Sequence, residues 1–201
     1  EVATTEHLRA LADQLLDAEA EQFERCTPRL NALRAVLSRE SKALLAGLTA
    51  DQVREAVQQM RQDSASSWLK LGSGRAFAHL CDRLRSMLDV ARRQVDELDT
   101  MLRNSIRQLN VVGGLSLTET PKPALDSYYL ELDRVQSGYS HYVGVTQFWR
   151  LGQASFMEQF TRTLMSRLRV VFEGLANEIE GWIRKASAQM DEQLRDHRRA
   201  L

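Results

Sequence analysis

The chain has 201 residues, of which 43% are hydrophobic, and its 27 lysines and arginines balance its 27 aspartates and glutamates. A formal net charge of zero excludes a general electrostatic attraction to nucleic acid or anionic lipid. Three prolines and ten glycines are few, which favours long helices over disorder. The two cysteines, Cys26 and Cys81, form no CxxC pair, and we expect reduced, packed thiols.

The first predicted element is one long helix from about Thr5 to Ala46, kinked near Pro28. An internal proline removes a hydrogen bond and crowds the preceding turn, at a cost of about 3 kcal/mol. The apolar stripe nevertheless keeps its helical phase across Pro28, so two abutting helices are only the alternative. The stripe begins at Leu8, Leu11, Leu15 and Ala18 and continues at Leu30, Leu33, Leu37 and Leu44.

The second and third helices are separated by a predicted corner at 64–74, where small and polar residues collect. Gly47 ends the first helix. The capping box from Thr49 to Gln52 then begins a short second helix. A long third helix starts at about Arg75. Its apolar stripe is Phe77, Leu80, Leu84, Leu88, Ala91, Val95, Leu98, Leu102, Ile106 and Leu109.

A clear break is predicted at 111–123, because Gly113-Gly114 and Pro121-Lys122-Pro123 cannot continue a helix. A moderate helix follows from about Ala124 to Tyr142. The last helix runs from about Thr146 to Arg199, with three stripe positions in every eleven residues. These positions are Trp149, Met157, Phe160, Leu164, Leu168, Val171, Leu175, Ile179, Trp182, Ala186 and Met190.

Together these elements predict an all-α fold, an elongated helical bundle of three long and two shorter helices in a single domain over 1–201. The terminal helix alone would be about 80 Å long at roughly 1.5 Å per residue. A compact globule of this size is only about 40–45 Å across. We therefore expect a rod.

Motifs that would carry catalysis or hold a cofactor are missing from the sequence. There is no G-x-x-x-x-G-K-[ST] loop, no H-E-x-x-H and no G-x-S-x-G. Glu173, Glu178 and Glu180 lack the Glu-x-x-His pairs of a carboxylate-bridged metal site, so we expect solvated or salt-bridged side chains. The sequence predicts no catalytic, cofactor-binding or metal-binding residue, and the chain itself is not expected to be an enzyme.

Two groups of residues are candidates for contact with a partner. Arg162, Arg167 and Arg169 form a short basic cluster that could bind an anionic partner or lipid headgroup, although paired surface arginines are commoner. Val111, Val112, Leu115 and Leu117 place apolar side chains around two glycines. They pack over the bundle end in the simplest interpretation; alternatively they contact a membrane, a GTPase domain or another subunit. Without a basic residue before Lys122, we expect weak or no liposome binding.

Glycines on the terminal helix form a further candidate contact. Gly174 and Gly181 lie beside the apolar stripe, and each costs roughly 1 kcal/mol in helix propensity. We expect both to permit close approach of a neighbouring helix.

The residues from Asn110 onward resemble a known family. The run YVGVTQFWRLGQASFMEQFTRTLMSRLRVVFEGLANEIEGWIRKASAQMDEQLRDHRR, from Tyr142 to Arg199, resembles the C-terminal helical region of bacterial dynamin-like large GTPases. The preceding VVGGLSL and LDSYYLELDRVQSGYSHYVGV are similar to the linker and helix before that region. The first hundred residues share only the helical character. The motifs are packing residues and carry no catalytic signature.

The resemblance implies a non-catalytic stalk or bundle of a GTPase whose nucleotide domain lies elsewhere in a longer protein. GTP and Mg²⁺ would then be cofactors of that parent and not of this chain. Its partners would be its own GTPase domain and further copies, with a weak membrane contact. It would be cytoplasmic or peripheral to the inner membrane. The alternative is a helical scaffold or adaptor that binds a protein or a membrane surface without any GTPase.

Overall fold

In the computed structural model, the backbone is described for residues 2–66, 72–143 and 154–200. This part of the chain is all-α and holds three long and two shorter helices, as predicted, with no strand. The helices are α1 (Val2–Ala46), α2 (Ala50–Ser66), α3 (Gly72–Gly113), α4 (Asp126–Val143) and α5 (Ala154–Ala200).

Helix boundaries differ from the prediction at several points. α1 passes through Pro28 as a single helix, so the alternative of two abutting helices is wrong. α3 runs on through Gly113, so the break predicted at 111–123 begins only at Gly114. Gly114 has a φ of 62°, a left-handed conformation that costs glycine little and ends the helix. Of the corner predicted at 64–74, residues 64–66 belong to α2 and residues 72–74 to α3, while 67–71 lie outside the described residues, as does 144–153 with Trp149.

The turn between α1 and α2 is short and hydrogen-bonded. The amide of Gly47 donates to Leu44 O at 3.1 Å, and that of Leu48 donates to Leu45 O at 3.0 Å. The amide of Gln52 then donates to Thr49 Oγ1 at 3.4 Å, which is the N-cap half of the predicted capping box.

The contacts divide the chain into two compact units, and the single domain over 1–201 stays a prediction. Unit 1 comprises Glu1–Ser41, Glu97–Lys122 and Gly181–Leu201. Its core combines the second half of α1 with the last turns of α3 and α5 and the segment after α3. The buried apolar side chains of this unit include Cys26, Leu30, Leu37, Leu102, Ile106, Leu109, Leu117, Trp182 and Met190.

Unit 2 comprises Lys42–Asp96 and Pro123–Glu180 and packs α2, the first part of α3, α4 and the first part of α5. Three rings meet inside it. The Phe160 ring lies edge-on to Tyr139, with centroids 5.3 Å apart, and to Phe77 at 6.3 Å. Such edge-to-face pairs add to the stability from apolar burial. Leu84, Leu88, Leu132, Leu164, Leu168 and Phe172 fill the rest of this core.

The stripes predicted for α3 and α5 are the buried faces of those helices. All ten stripe residues of α3 are buried, and so are the nine of α5 from Phe160 to Met190. Cys26 and Cys81 are also buried and free, as predicted.

The α1 stripe behaves differently. It is buried from Leu30 onward, but Leu15 is 66% exposed and Ala18 is exposed as well, while the side chains of Leu8 and Leu11 lie outside the described ones. The reason lies in unit 1, where α3 ends at Gly113 against Cys26. Residues of α1 before Cys26 lie beyond the end of α3.

Candidate functional site

The apolar segment from Val111 to Leu117 is divided by the end of α3. Val111 and Val112 lie in the last turn of α3 and are 83% and 47% exposed. Leu115 and Leu117 follow the helix and are each only 5% exposed. The four side chains predicted to form one contact loop therefore face two environments.

The segment after α3 is held down by hydrogen bonds. Asn110 Nδ2 donates to Leu117 O at 2.8 Å, and Leu117 N donates to Asn110 Oδ1 at 2.9 Å, so one amide side chain pairs with both polar groups of one backbone residue. The Trp182 indole donates to Thr120 O at 3.2 Å. The Thr118 hydroxyl is 3.0 Å from Gln189 Oε1. These contacts favour packing of Leu115 and Leu117 over insertion into a membrane.

A charged cluster lies beside this segment. Asp99 is buried, and its Oδ2 lies 3.0 Å from Arg103 Nε. Glu119 accepts from Arg107 Nε at 3.3 Å and lies 3.7 Å from Arg103. The sequence does not indicate this burial of Asp99 beside an arginine, because the alternating charges along α3 carry no information on which turn a neighbouring segment covers.

The three arginines of the predicted basic cluster do not share one face of α5. Arg162 and Arg169 are about two turns apart and lie on the same side, while Arg167 lies two residues before Arg169, on the far side. Arg169 Nε is 2.6 Å from Glu173 Oε1, and Arg162 lies 3.9 Å from Glu158. Arg167 lines a hollow of about 510 Å³ in unit 2. An anion could not contact all three guanidinium groups at once.

Two neighbouring tyrosines connect α4 to the helices on either side of it in unit 2. The Tyr128 hydroxyl donates to Glu178 Oε2 on α5 at 2.6 Å, and the Tyr129 hydroxyl donates to Asp89 Oδ1 on α3 at 2.7 Å. The Arg92 guanidinium lies over the Tyr129 ring, 5.5 Å from its centroid. Consecutive positions point about 100° apart on a helix, which lets adjacent tyrosines reach two different neighbours.

These contacts hold both phenols in the protonated form. Burial, followed by the hydrogen bond to Glu178, raises the pKa of Tyr128 to about 12. Burial and the hydrogen bond to Asp89 raise the pKa of Tyr129 to about 12 as well, against the opposing charge of Arg92. The two hydroxyl groups therefore act as structural hydrogen-bond donors that link α4 to α5 and to α3. The two adjacent tyrosines are visible in the sequence, but their hydrogen-bond acceptors are not.

Unit 1 carries an open apolar groove of about 650 Å³ between α1 and the end of α3. Ala32, Leu33 and Val36 line one wall, and Met101 and Leu109 lie on the other. Arg29 and Val112 also line it. Sequence reasoning missed this groove, because periodicity shows which face of a helix is apolar but not how far its neighbour covers that face.

The two glycines singled out on α5 have different surroundings. A Cβ at Gly174 would lie 3.4 Å from Tyr128 Cε1, so this glycine does permit a close approach. A Cβ at Gly181 would have no other described atom within 4 Å, apart from its own neighbourhood in the helix. The close approach predicted at Gly181 is wrong, since the facing surface is open there.

These arrangements define a helical bundle with exposed apolar side chains, among them Leu15, Val111 and Val170. Among the residues whose side chains are placed, no three or more His, Cys, Asp or Glu come together as a metal site. None of the described helices combines the length and apolar character needed to cross a bilayer. Comparison with protein-family models, curated proteins and solved structures finds no match to this chain.

Proposed function

We propose that this chain is a non-catalytic helical stalk or bundle module of a dynamin-like GTPase, serving self-assembly and the transmission of nucleotide-driven conformational change. The family assignment rests on the resemblance of the run from Tyr142 to Arg199. The all-α architecture is compatible with it, since a stalk needs long helices and no catalytic centre.

The observation that carries the self-assembly part is the open groove of unit 1. Leu33 and Leu109 contribute to the core and also line the groove, so the apolar interior continues to the surface at this point. A surface of this kind is suited to another helix, because a helix packs its side chains into the groove between two neighbours. Most of its lining is apolar, and Arg29, Ser105 and Gln108 are the polar residues in it.

Calorimetric titration with GTP and Mg²⁺ tests the non-catalytic part. We expect no heat of binding from the chain alone, because the sequence lacks the glycine-rich loop and lysine that hold nucleotide phosphates. Micromolar affinity would contradict the proposal. The encoding gene tests the family part, since a G-x-x-x-x-G-K-[ST] motif upstream of Glu1 is expected, and a gene without one would overturn the assignment.

A helical adaptor without a GTPase is the second candidate, and the same groove favours it. A membrane contact has less support, because only Val111 and Val112 of the apolar segment are exposed. Leu115→Asp would disturb the fold, so Val111→Asp is the cleaner probe. Binding of the parent chain to anionic liposomes that is abolished by Val111→Asp would favour the membrane alternative.

A further inference from the structure

The first helix has a segregated charge pattern. From Asp13 to Glu24 the sequence has five acidic residues and no basic one. From Arg25 to Arg39 it has four arginines and no acidic residue. Such a helix is complementary to a second copy of itself when the two run antiparallel, because the acidic half of each then faces the basic half of the other.

α1 also carries the exposed apolar side chains of unit 1 that lie in line with the groove. Leu15 lies about five helical turns before Leu33 and therefore on the same face. Leu33 lines the open groove, and Leu15 is exposed on the part of α1 that lies beyond the end of α3. Ala18 and Ala32 also lie on this side of α1, and their small side chains permit close approach of another helix.

We propose that this face of α1, defined by Leu15, Ala18, Arg25, Arg29, Ala32 and Val36, binds α1 of a second copy in an antiparallel, two-fold symmetric contact. The inference rests on the self-assembly part of the proposed function and names the surface through which two copies associate. In a two-fold contact every interaction occurs twice, so a self-complementary pattern is what the symmetry requires.

One register satisfies charge and size together. It places Leu15 of one copy opposite Ala32 of the other, in the groove, and Ala18 opposite Arg29. Asp17 and Glu21 lie on one flank of this face and are then beside Arg29 and Arg25 of the other copy. A parallel arrangement would instead bring acidic half against acidic half.

The charges needed for this contact are available. Asp17 and Arg29 are exposed, and neither forms an ion pair with another residue whose side chain is described. Glu21 and Arg25 pair within α1 at 2.5 Å, with 66% and 73% of their side chains exposed. An exposed pair of this kind contributes little to stability, so its members can exchange partners.

A charge-swap experiment tests the inference by analytical ultracentrifugation of the whole chain. One variant carries Asp17→Arg and Glu21→Arg, and the other carries Arg25→Glu and Arg29→Glu. We expect the parent to dimerise and each variant alone to show a dissociation constant about 10- to 100-fold higher. An equimolar mixture of the two variants should dimerise again, because their α1 helices carry opposite charges.

Ser38→Glu is the matched control. It puts an acidic charge into the basic half of α1, but the exposed Ser38 lies two residues after Val36 and hence about 160° around the helix from this face, so this variant should dimerise like the parent. Circular dichroism shows whether each variant keeps its helices. The proposal is overturned if both charge-reversed variants keep their helices but their mixture does not dimerise. It is also overturned if either charge-reversed variant dimerises like the parent.

The outcomes also separate this inference from the proposed function. A parent chain that associates but ignores both charge reversals overturns this surface and leaves self-assembly standing. A parent that stays monomeric at every accessible concentration contradicts both.

Discussion

Gly113→Ala should destabilise unit 1, although alanine is the better helix former. A Cβ at position 113 would lie 2.6 Å from Cys26 Sγ and 3.3 Å from Cys26 Cβ. Favourable contacts between heavy atoms occur at about 3.5–4.0 Å, so the new methyl group overlaps the sulfur by about 1 Å. Cys26 is buried in α1 and cannot turn toward solvent without losing its packing.

The expected loss combines two opposing effects. Overpacking a tight core costs about 1–3 kcal/mol, while replacing glycine by alanine in a helix gains roughly 0.5–1 kcal/mol. We expect a net destabilisation of about 1–2 kcal/mol, measured by urea unfolding followed by circular dichroism at matched protein concentrations.

A double-mutant cycle with Cys26→Ala isolates the contact. Removing Sγ removes the closest overlap, so Gly113→Ala should cost less in the Cys26→Ala background, with a coupling energy of about 1 kcal/mol or more. Equal costs in both backgrounds would refute the steric explanation. If the Gly113→Ala variant is as stable as the parent, α1 and α3 move apart at little cost in free energy.

Three further predictions concern α5 and α4. Leu168→Ala should cost about 2–5 kcal/mol because Leu168 is fully buried, whereas Val170→Ala, at a 70% exposed position, should change stability by less than about 0.5 kcal/mol; equal losses would mean that the buried face is wrong. Gly181→Ala should raise stability by up to about 1 kcal/mol, since the new methyl group meets open space; a lower melting temperature would reveal a neighbour at that surface. Finally, stability should fall at alkaline pH, because the pKa of Tyr128 and of Tyr129 is raised from 10.0 to about 12 in the fold. The contribution is fully present below pH 10 and is lost as the pH rises through about 12, and Tyr128→Phe with Tyr129→Phe should flatten this part of the stability profile.

The sequence predicted the helices and most of their buried faces because both follow from local periodicity. The stripe of α3 from Phe77 to Leu109 is buried throughout. The passage of α1 through Pro28 was also predictable, since an unbroken stripe indicated that neighbouring helices offset the cost of the proline.

Features that depend on a neighbour were not predictable in the same way. Leu15 continues the α1 stripe but is exposed, because α3 ends before it can cover that turn. Gly114 ends α3, and the last residue of this helix, Gly113, lies against Cys26, which is far from it in sequence. The acceptors of Tyr128 and Tyr129 are likewise set by which helices flank α4. An apolar stripe shows which face of a helix is suited to packing, but it does not identify the neighbouring element that packs there.

The burial of both cysteines has a practical consequence for measuring motion in this protein. Burial, with a smaller contribution from Asp82, raises the pKa of the Cys81 thiol to about 11, so at neutral pH only roughly one molecule in ten thousand carries the reactive thiolate at this position. Cys26 is enclosed as well. A cysteine introduced on the surface should therefore react with a maleimide dye far faster than either native thiol. Fluorophores for distance measurements can then be attached at chosen sites while the native cysteines, and the packing around them, are left in place.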